Sequence, residues 1–387
     1  MCRPAGPLRA RPGRTYNGED QRPWWCSAWT RTSGPTHTTV ATDELGRQQD
    51  QRTLPATDTG HQRLLAWARE NYPGPAEQRL WAIEDCRHVS GRLERALLAA
   101  GERVVRVPSH LTAQARRDAR TRGKSDSIDA LAVARAALRE PDLPVARHDQ
   151  ASRELKLLVD HRDQLVTRRT EIINRLRWRL HELDPELVVP DRTLHRTGTQ
   201  KRLIAALGTA QHVNAAAAAG LELQRQLALD ELDEVVQLTH RADELEKQIS
   251  ARSRDQAAEL LAIPGCGALT AAKLIAETAD VRRFRSEDGF AAHAGTAPIP
   301  VSSGNRQRLR LCRGGNRQLN LALHRIALTQ IRLSGRGRDY YQRKQAEGHT
   351  KKEALRALKR KIARAVYTAL RLDAARRSTP SSPAVLT

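Results

Sequence analysis

Hydrophobic positions along this chain follow two different periods, and the change falls near residue 150. From Thr36 to about Arg139 short apolar runs alternate with amphipathic stretches. HTTVATD reads as a strand that enters a turn at DELG, and QQDQRTLPA as a second strand. TGHQRLLAWARENY has the spacing of an amphipathic helix, and QRLWAIED that of a buried strand ending in acid. HVSGRLERALLAAG reads as a helix closed by Gly101, and ERVVRVP as a further strand. KSDSIDALAVARAALRE predicts a helix whose start is capped by Ser125 or Asp126. This alternation predicts an α/β domain over residues 36–147.

From Ser152 the period becomes that of heptads. Leu155, Leu158, Leu165, Ile172, Leu176 and Leu183 form one seam, interrupted by Arg162 and Arg169, and Pro185 and Pro190 end it. Val235, Leu238, Ala242, Leu245 and Ile249 form a second. Residues 148–255 should therefore hold two long helices. They could pair as an antiparallel hairpin, as an intermolecular coiled coil, or as core helices of a bundle. A third, mainly helical unit spans 256–372, with helices expected at about 315–333 and 350–372. Residues 1–35, rich in Arg, Pro, Gly and Thr, have no period, and neither has the tail 373–387; both are expected to be disordered. The fold class expected is α/β plus α.

Composition narrows the partner. Lys and Arg number 66 against 44 Asp and Glu, a formal net charge of +22. So large an excess points away from an ordinary small-molecule enzyme and toward a polyanion, most simply nucleic acid. No apolar run approaches the ~18 residues of a membrane span. The basic N-terminus lacks the apolar core of a secretory signal. Five cysteines lie scattered without a CxxC pair, which argues against a disulfide framework or a structural zinc site. A cytoplasmic, nucleoid-associated location is expected.

Three stretches have the residue types of phosphodiester chemistry. Glu84 ends the hydrophobic strand WAIED, and Asp126 and Asp129 lie three apart on one face at a helix start. Carboxylates so placed can converge on Mg²⁺, which prefers oxygen ligands, and two such ions could stabilise both the attacking and the leaving oxygen. They read equally as a helix cap, a solvated acid and a strand-end charge. IPGCG, with Gly265 and Gly267, sits between two helical patterns and has the form of a helix-hairpin-helix, whose backbone N–H groups can hold a DNA phosphate; it could also be a plain turn. In GTAPIPVSSGNRQRLRLCRGGNRQL, Ser302 and Ser303 precede Gly304 and are flanked by Arg306, Arg308, Arg310, Arg313 and Arg317. A serine among guanidinium groups would face a phosphate whose developing charge is neutralised. Tyr340 and Tyr341 in GRGRDYYQRK are read as stacking or packing residues.

In order and spacing these motifs resemble one family, the transposases of insertion-sequence family 110, which are bridge-RNA-guided recombinases. The resemblance covers about Thr36 to Leu372. RGKSDSIDALAVAR resembles the helix carrying the third and fourth acids of that family's DEDD set, and WAIED the strand carrying its Glu. AIPGCGALTAAKLIAE, FRSEDGFAAHAGTAPIPVSSG and RGGNRQLNLALHRIA are similar to its C-terminal transposase domain. The resemblance implies a RuvC-like, RNase-H-type domain binding Mg²⁺ through Glu84, Asp126 and Asp129. It implies a coiled coil that assembles dimers or tetramers. It implies a serine that attacks DNA to form a phosphoserine link, and a structured noncoding RNA that pairs with donor and target DNA. Ser303 matches the nucleophile, with Ser302 kept as the alternative register.

One position departs from the family. Its first strand reads roughly Gly-Val-Asp-Thr-His, and counting back from THTTVATDELG its Asp falls near Arg31, which cannot ligate a metal. Nearby, Trp24, Trp25 and Trp29 crowd together in a chain with 3% aromatic residues. Shifting the reading frame accounts for both. The last base of each Trp codon with the first two of the next codon gives Val at Trp24-Trp25 and at Trp25-Cys26, and Asp without ambiguity at Trp29-Thr30. The shifted frame permits Val-Val-Phe-Gly-Val-Asp-Thr-His, with the frame restored between Thr32 and Thr36. Losing that strand would remove buried Val side chains, each worth roughly 1.5–3 kcal/mol, as well as a ligand. The gene sequence tests this: codons 27–32 should spell Gly-Val-Asp-Thr-His in the shifted frame, and any other residues there overturn the reading.

Overall fold

The computed structural model describes residues 36–85, 87–118, 125–140, 143–147, 149–209, 215–303, 306–311 and 314–378. The segment 1–35, with Arg31 and the tryptophan cluster, lies outside the described residues. The chain divides into two compact units, Met1–His148 and Asp149–Thr387.

In the first unit β1 (Thr36–Thr42) and β2 (Gln48–Pro55) form an antiparallel hairpin. Its turn is built by Asp43, whose carboxylate accepts from the N–H groups of Leu45 at 3.0 Å and Arg47 at 2.8 Å. Gly46 supplies the left-handed residue at φ 72°. β1 is buried from His37 onward, whereas β2 lies mostly exposed. α1 (Asp58–Asn71) starts at Thr57, whose hydroxyl accepts from Gly60 N–H.

β3 (Leu80–Glu84), α2 (Arg87–Ala99) and β4 (Arg103–Val107) then make a parallel strand pair joined by a helix, with Leu80 opposite Arg103 and Glu84 opposite Val107. The continuous run LWAI is buried on both faces, as parallel strands are. α3 (Ser109–Arg117) and α4 (Asp126–Arg139) complete the unit, and Ser125 rather than Asp126 caps α4 by accepting from Ile128 N–H. Among the described residues no ladder joins the β1–β2 hairpin to the β3–β4 pair. A buried ion pair locks the edge of the parallel pair. Arg79 bonds Glu102 at 2.7 Å and 2.9 Å, and Trp81 Nε1 donates to the same carboxylate at 2.8 Å.

The second unit begins with α5 (Gln150–Leu183), α6 (Thr197–Thr209) and α7 (Ala215–Gln256). α5 and α7 pair within the chain as an antiparallel hairpin. Leu155 and Val159 share a buried cluster with Ile249, Leu165 and Ile172 with Val235 and Leu238, and Leu176 and Leu180 with Ala228 and Leu232. The two arginines that interrupt the seam reach across it, Arg162 to Glu246 at 2.6 Å and Arg169 to Thr239 at 3.2 Å.

α8 (Ala258–Leu261), α9 (Ala268–Thr278), α10 (Glu287–His293), the antiparallel strands β5 (Pro298–Ser303) and β6 (Arg306–Leu311), α11 (Arg317–Arg332), α12 (Arg336–Ala346) and α13 (Lys351–Ser378) follow. α9, α10, α11 and α13 bury Leu274, Ile275, Phe290, Leu323, Ile326, Ile362 and Val366 in one core. α13 runs through 378, past the expected boundary at 372, because buried Asp373 accepts from the N–H groups of Glu259 and Leu260 at 2.9 and 3.2 Å and so caps α8. Residues 379–387 lie outside the described residues.

The buried pair His37 and His61 gives the first unit an acid-sensitive core. Their Nε2 atoms lie 3.1 Å apart and their rings stack. Burial, and then the neighbouring His61, lowers the His37 pKa from 6.5 to about 4. A base whose folded pKa lies below its unfolded value adds stability above the unfolded pKa and loses it as pH falls toward the folded one. Stability should therefore drop between pH 6.5 and about 4, by on the order of 1–3 kcal/mol from this residue. His37→Gln should flatten that limb in denaturant melts, and an unchanged pH profile would refute the assignment.

Candidate active site

Within the first unit the parallel strand β3 delivers Glu84 at its C-terminal end, beside the N-terminus of α3. The Glu84 carboxyl accepts a hydrogen bond from Ser109 and feels Arg116, Asp129 and Asp85. Burial first, and the like charges of Asp129 and Asp85 after it, raise its pKa, with Ser109 and Arg116 opposing. Asp129, one turn into α4 and 15% exposed, accepts from Arg116 Nη1 at 2.7 Å. Asp85 lies 3.5 Å from the guanidinium of Arg106, which also bonds Glu94. The structure thus brings Glu84 and Asp129 into one charged cluster with Ser109 and Arg116. Asp126 stands half-buried at the first residue of α4.

Among the described residues no three His, Cys, Asp or Glu side chains converge to hold an ion. Glu84 and Asp129 nonetheless suit Mg²⁺ as a donor set. They are hard oxygens held close enough to repel, and a dication would relieve that repulsion. Arg116 supplies part of this countercharge.

In the second unit the β5–β6 hairpin is fastened at its base. Gly295 lies at φ 65°, and a Cβ on Gly315 would fall 2.3 Å from Gly295 N, so the two backbones cross in contact. Asn316 N–H donates to His293 O at 2.6 Å, and Asn320 Nδ2 donates to Ala294 O at 2.9 Å and Gly295 O at 3.0 Å. Asn316 also caps α11 through the N–H groups of Gln318 and Leu319. Its Nδ2 donates at 2.8 Å to buried Glu277, whose other oxygen accepts from Lys156 of α5 at 2.6 Å. The string GGNRQLN is thus a set of fastenings that anchors the hairpin to α5, α9 and α11.

The hairpin register sets Ser303 opposite Arg306 and Ser302 opposite Gln307. Arg308 stands opposite Val301 and Arg310 opposite Ile299. Arg310 and Arg317 are exposed, whereas Gly304 and Arg313 lie outside the described residues. Gly265 has φ 84°, and a Cβ there would meet Thr329 Cβ at 2.9 Å, so this glycine is required for packing on α11. Gly267 is the N-cap of α9 in extended conformation, with open space where a side chain would stand.

Residues 33–185 match the DEDD transposase model of the IS110 type, described as a transposase, and residues 257–342 match the model described as the transposase IS116/IS110/IS902 family. Three relatives extend the likeness along the chain. The insertion element IS116 44.8 kDa protein of Streptomyces clavuligerus is 29% identical, over 84% of this chain and 88% of its own length. The IS900 42 kDa protein of Mycobacterium paratuberculosis is 29% identical, over 75% and 82%. The IS110 43.6 kDa protein of Streptomyces coelicolor is 30% identical, over 64% and 71%.

Pattern reasoning missed Ser109, Arg116, Glu277, Asn316 and Asn320. Ser109, directly after Pro108 at a helix start, left a faint signal; Arg116 and Glu277 left none, being one Arg among many and one Glu on an apolar helix. The crossing at Gly315 makes a direct prediction. Gly315→Ala should destabilise the second unit by about 1–3 kcal/mol through overpacking, whereas Gly208→Ala in α6, with open space around it, should be neutral or stabilising. Equal melting curves for the two variants would contradict the close approach.

Proposed function

From a chain that belongs to the IS116/IS110/IS902 transposase family, we propose a recombinase that cuts and rejoins DNA with a serine nucleophile and Mg²⁺-binding carboxylates. The observation that carries this reading is the charged cluster of Glu84 and Asp129 at the end of β3 and the start of α4. An acid at the end of a parallel strand, with Asp129 of a following helix among the charges acting on it, supports a RuvC-like arrangement with Glu84, Asp126 and Asp129 as ligands. When bound, Mg²⁺ would supply positive charge at the scissile phosphodiester.

Ser303 is the preferred nucleophile and Ser302 the alternative, since the pleat assigns Ser303 to the register set of Arg306, Arg308 and Arg310. In the proposed step the Ser303 Oγ–P bond forms as the P–O bond to the leaving strand breaks. The serine proton passes to solvent or a base, and the leaving oxygen takes one up. A free strand hydroxyl then reverses the exchange and releases the serine. Arg306, Arg308, Arg310, Arg313 and Arg317 would neutralise phosphate charge, and the open start of α9 at Gly267, beside Gly265, would hold a DNA phosphate in helix-hairpin-helix fashion.

The resemblance adds two partners, a structured noncoding RNA that pairs with donor and target DNA, and further copies of the chain in a dimer or tetramer. It also bears on this copy's activity. With Arg31 at the position of the first acid, cleavage by the chain as written should be weak or absent. A second reading, a nucleic-acid-binding protein without catalysis, is favoured by the Arg116–Asp129 ion pair.

The test uses the full chain with codons 24–32 returned to the shifted frame, incubated with DNA, Mg²⁺ and the flanking noncoding RNA. A covalent protein–DNA adduct is expected, lost in Ser303→Ala and Asp126→Asn alike, with the unaltered chain forming little. An adduct that survives Ser303→Ala transfers the role to Ser302 or ends the serine mechanism. No adduct from the frame-restored chain favours the binding protein. Raising salt should weaken binding under either reading.

A further inference from the structure

A cavity of about 520 Å³ opens between the entry to β5 and one face of α13. Arg310, Lys344, Arg356, Lys359, Arg360 and Lys361 line it against a single carboxylate, Glu353. That carboxylate is already engaged. It accepts from Thr350 N–H and Oγ1 at 2.9 and 2.7 Å, closing the capping box of α13, and these bonds hold its pKa below the usual range. Lys344 bonds Glu347, and Arg360 bonds Asp288. Arg310, Arg356 and Lys361 close no ion pair within 4.0 Å among the described residues, although the charge of Arg356 acts on Glu353.

Lys359 is the most telling member. It is 7% exposed, among the described residues its ammonium donates to the neutral Asn320 Oδ1, and burial lowers its pKa. A buried ammonium without a countercharge is unfavourable, and an anion entering the cavity would supply one. Tyr340 lines the same cavity with a ring already approached by Arg343 and Lys344.

We propose that this cavity holds a backbone phosphate of a DNA strand, with the attached base stacked on Tyr340. Its volume lies in the range of ligand sites and exceeds the needs of a lone phosphate. The cluster of cations suits a chain of phosphates better than one. The cavity is also continuous with the serine hairpin, because Pro298 lines it and begins the strand that ends at Ser303. Five residues of extended strand span about 17 Å. The held phosphate would therefore lie on the strand a short distance from the serine. The inference rests on the proposed function, to which it adds a second contact on the same strand.

The experiment measures binding of a short fluorescent single-stranded oligodeoxynucleotide to the full chain across a salt series, with the matching RNA in parallel. Arg356→Gln and Lys359→Met together should weaken DNA binding about tenfold. They should also lower the salt slope by about 1.4, the loss of two contacts at ~0.7 each. Tyr340→Ala should weaken it further with no change of slope. Should Lys359→Met fail to fold, Arg356→Gln alone should weaken binding several-fold and lower the slope by about 0.7. Unchanged affinity and slope, while Arg308→Gln still weakens binding, would overturn the cavity assignment and leave the proposed function standing. Loss confined to the RNA would overturn it as well. A wild-type chain that binds no DNA would overturn both.

Discussion

A charge removed from water must meet its opposite, and that requirement organises both units of this strongly basic chain. Arg79 and Glu102 meet at the edge of the parallel strand pair, with Trp81 on the same carboxylate. Lys156 and Glu277 tie α5 to α9, and Lys273 donates to Asp163 at 2.6 Å beside them. Where a buried group has only a partial countercharge, its charged form is disfavoured. Glu84, with a hydroxyl and a shared guanidinium, is one such group. Lys359, whose ammonium donates to an amide oxygen, is another.

The same logic accounts for the positions of the acids. β3 is buried along its length, so a carboxylate in its interior would be prohibitively unfavourable; at its last residue Glu84 reaches the start of α3 and the Ser109 hydroxyl. Asp126 and Asp129 stand in the first turn of α4, where the helix dipole favours negative charge. Arg116 from α3 then bonds Asp129 at 2.7 Å.

The serine hairpin obeys a different constraint, close approach of backbones. Its two strands leave a base where Gly295 and Gly315 touch and where Asn316 and Asn320 take up the carbonyls of residues 293–295. Because Asn316 is also bonded to Glu277, movement at the base would disturb the Lys156 pair of α5 as well.

The sequence alone determined what depends on periodicity and local chemistry. The strand, turn and helix succession from Thr36 to Arg139, the two long helices with their seams, and the capped start of α4 all follow from spacing that survives in one dimension. The type and order of the acids and serines carried the resemblance to a family, whose two domain models match residues 33–185 and 257–342. Only the tertiary structure decided which of these groups meet. It placed Asp129 among the charges on Glu84; it gave Gly265 a steric duty against Thr329; and it carried α13 past residue 372 onto α8. It also gathered Lys344, Lys359 and Arg310 around one cavity from three separate elements. Such pairings join residues tens to hundreds of positions apart. Among so many arginines and lysines no local pattern distinguishes the buried one from the solvated, because burial is a property of the packed neighbours.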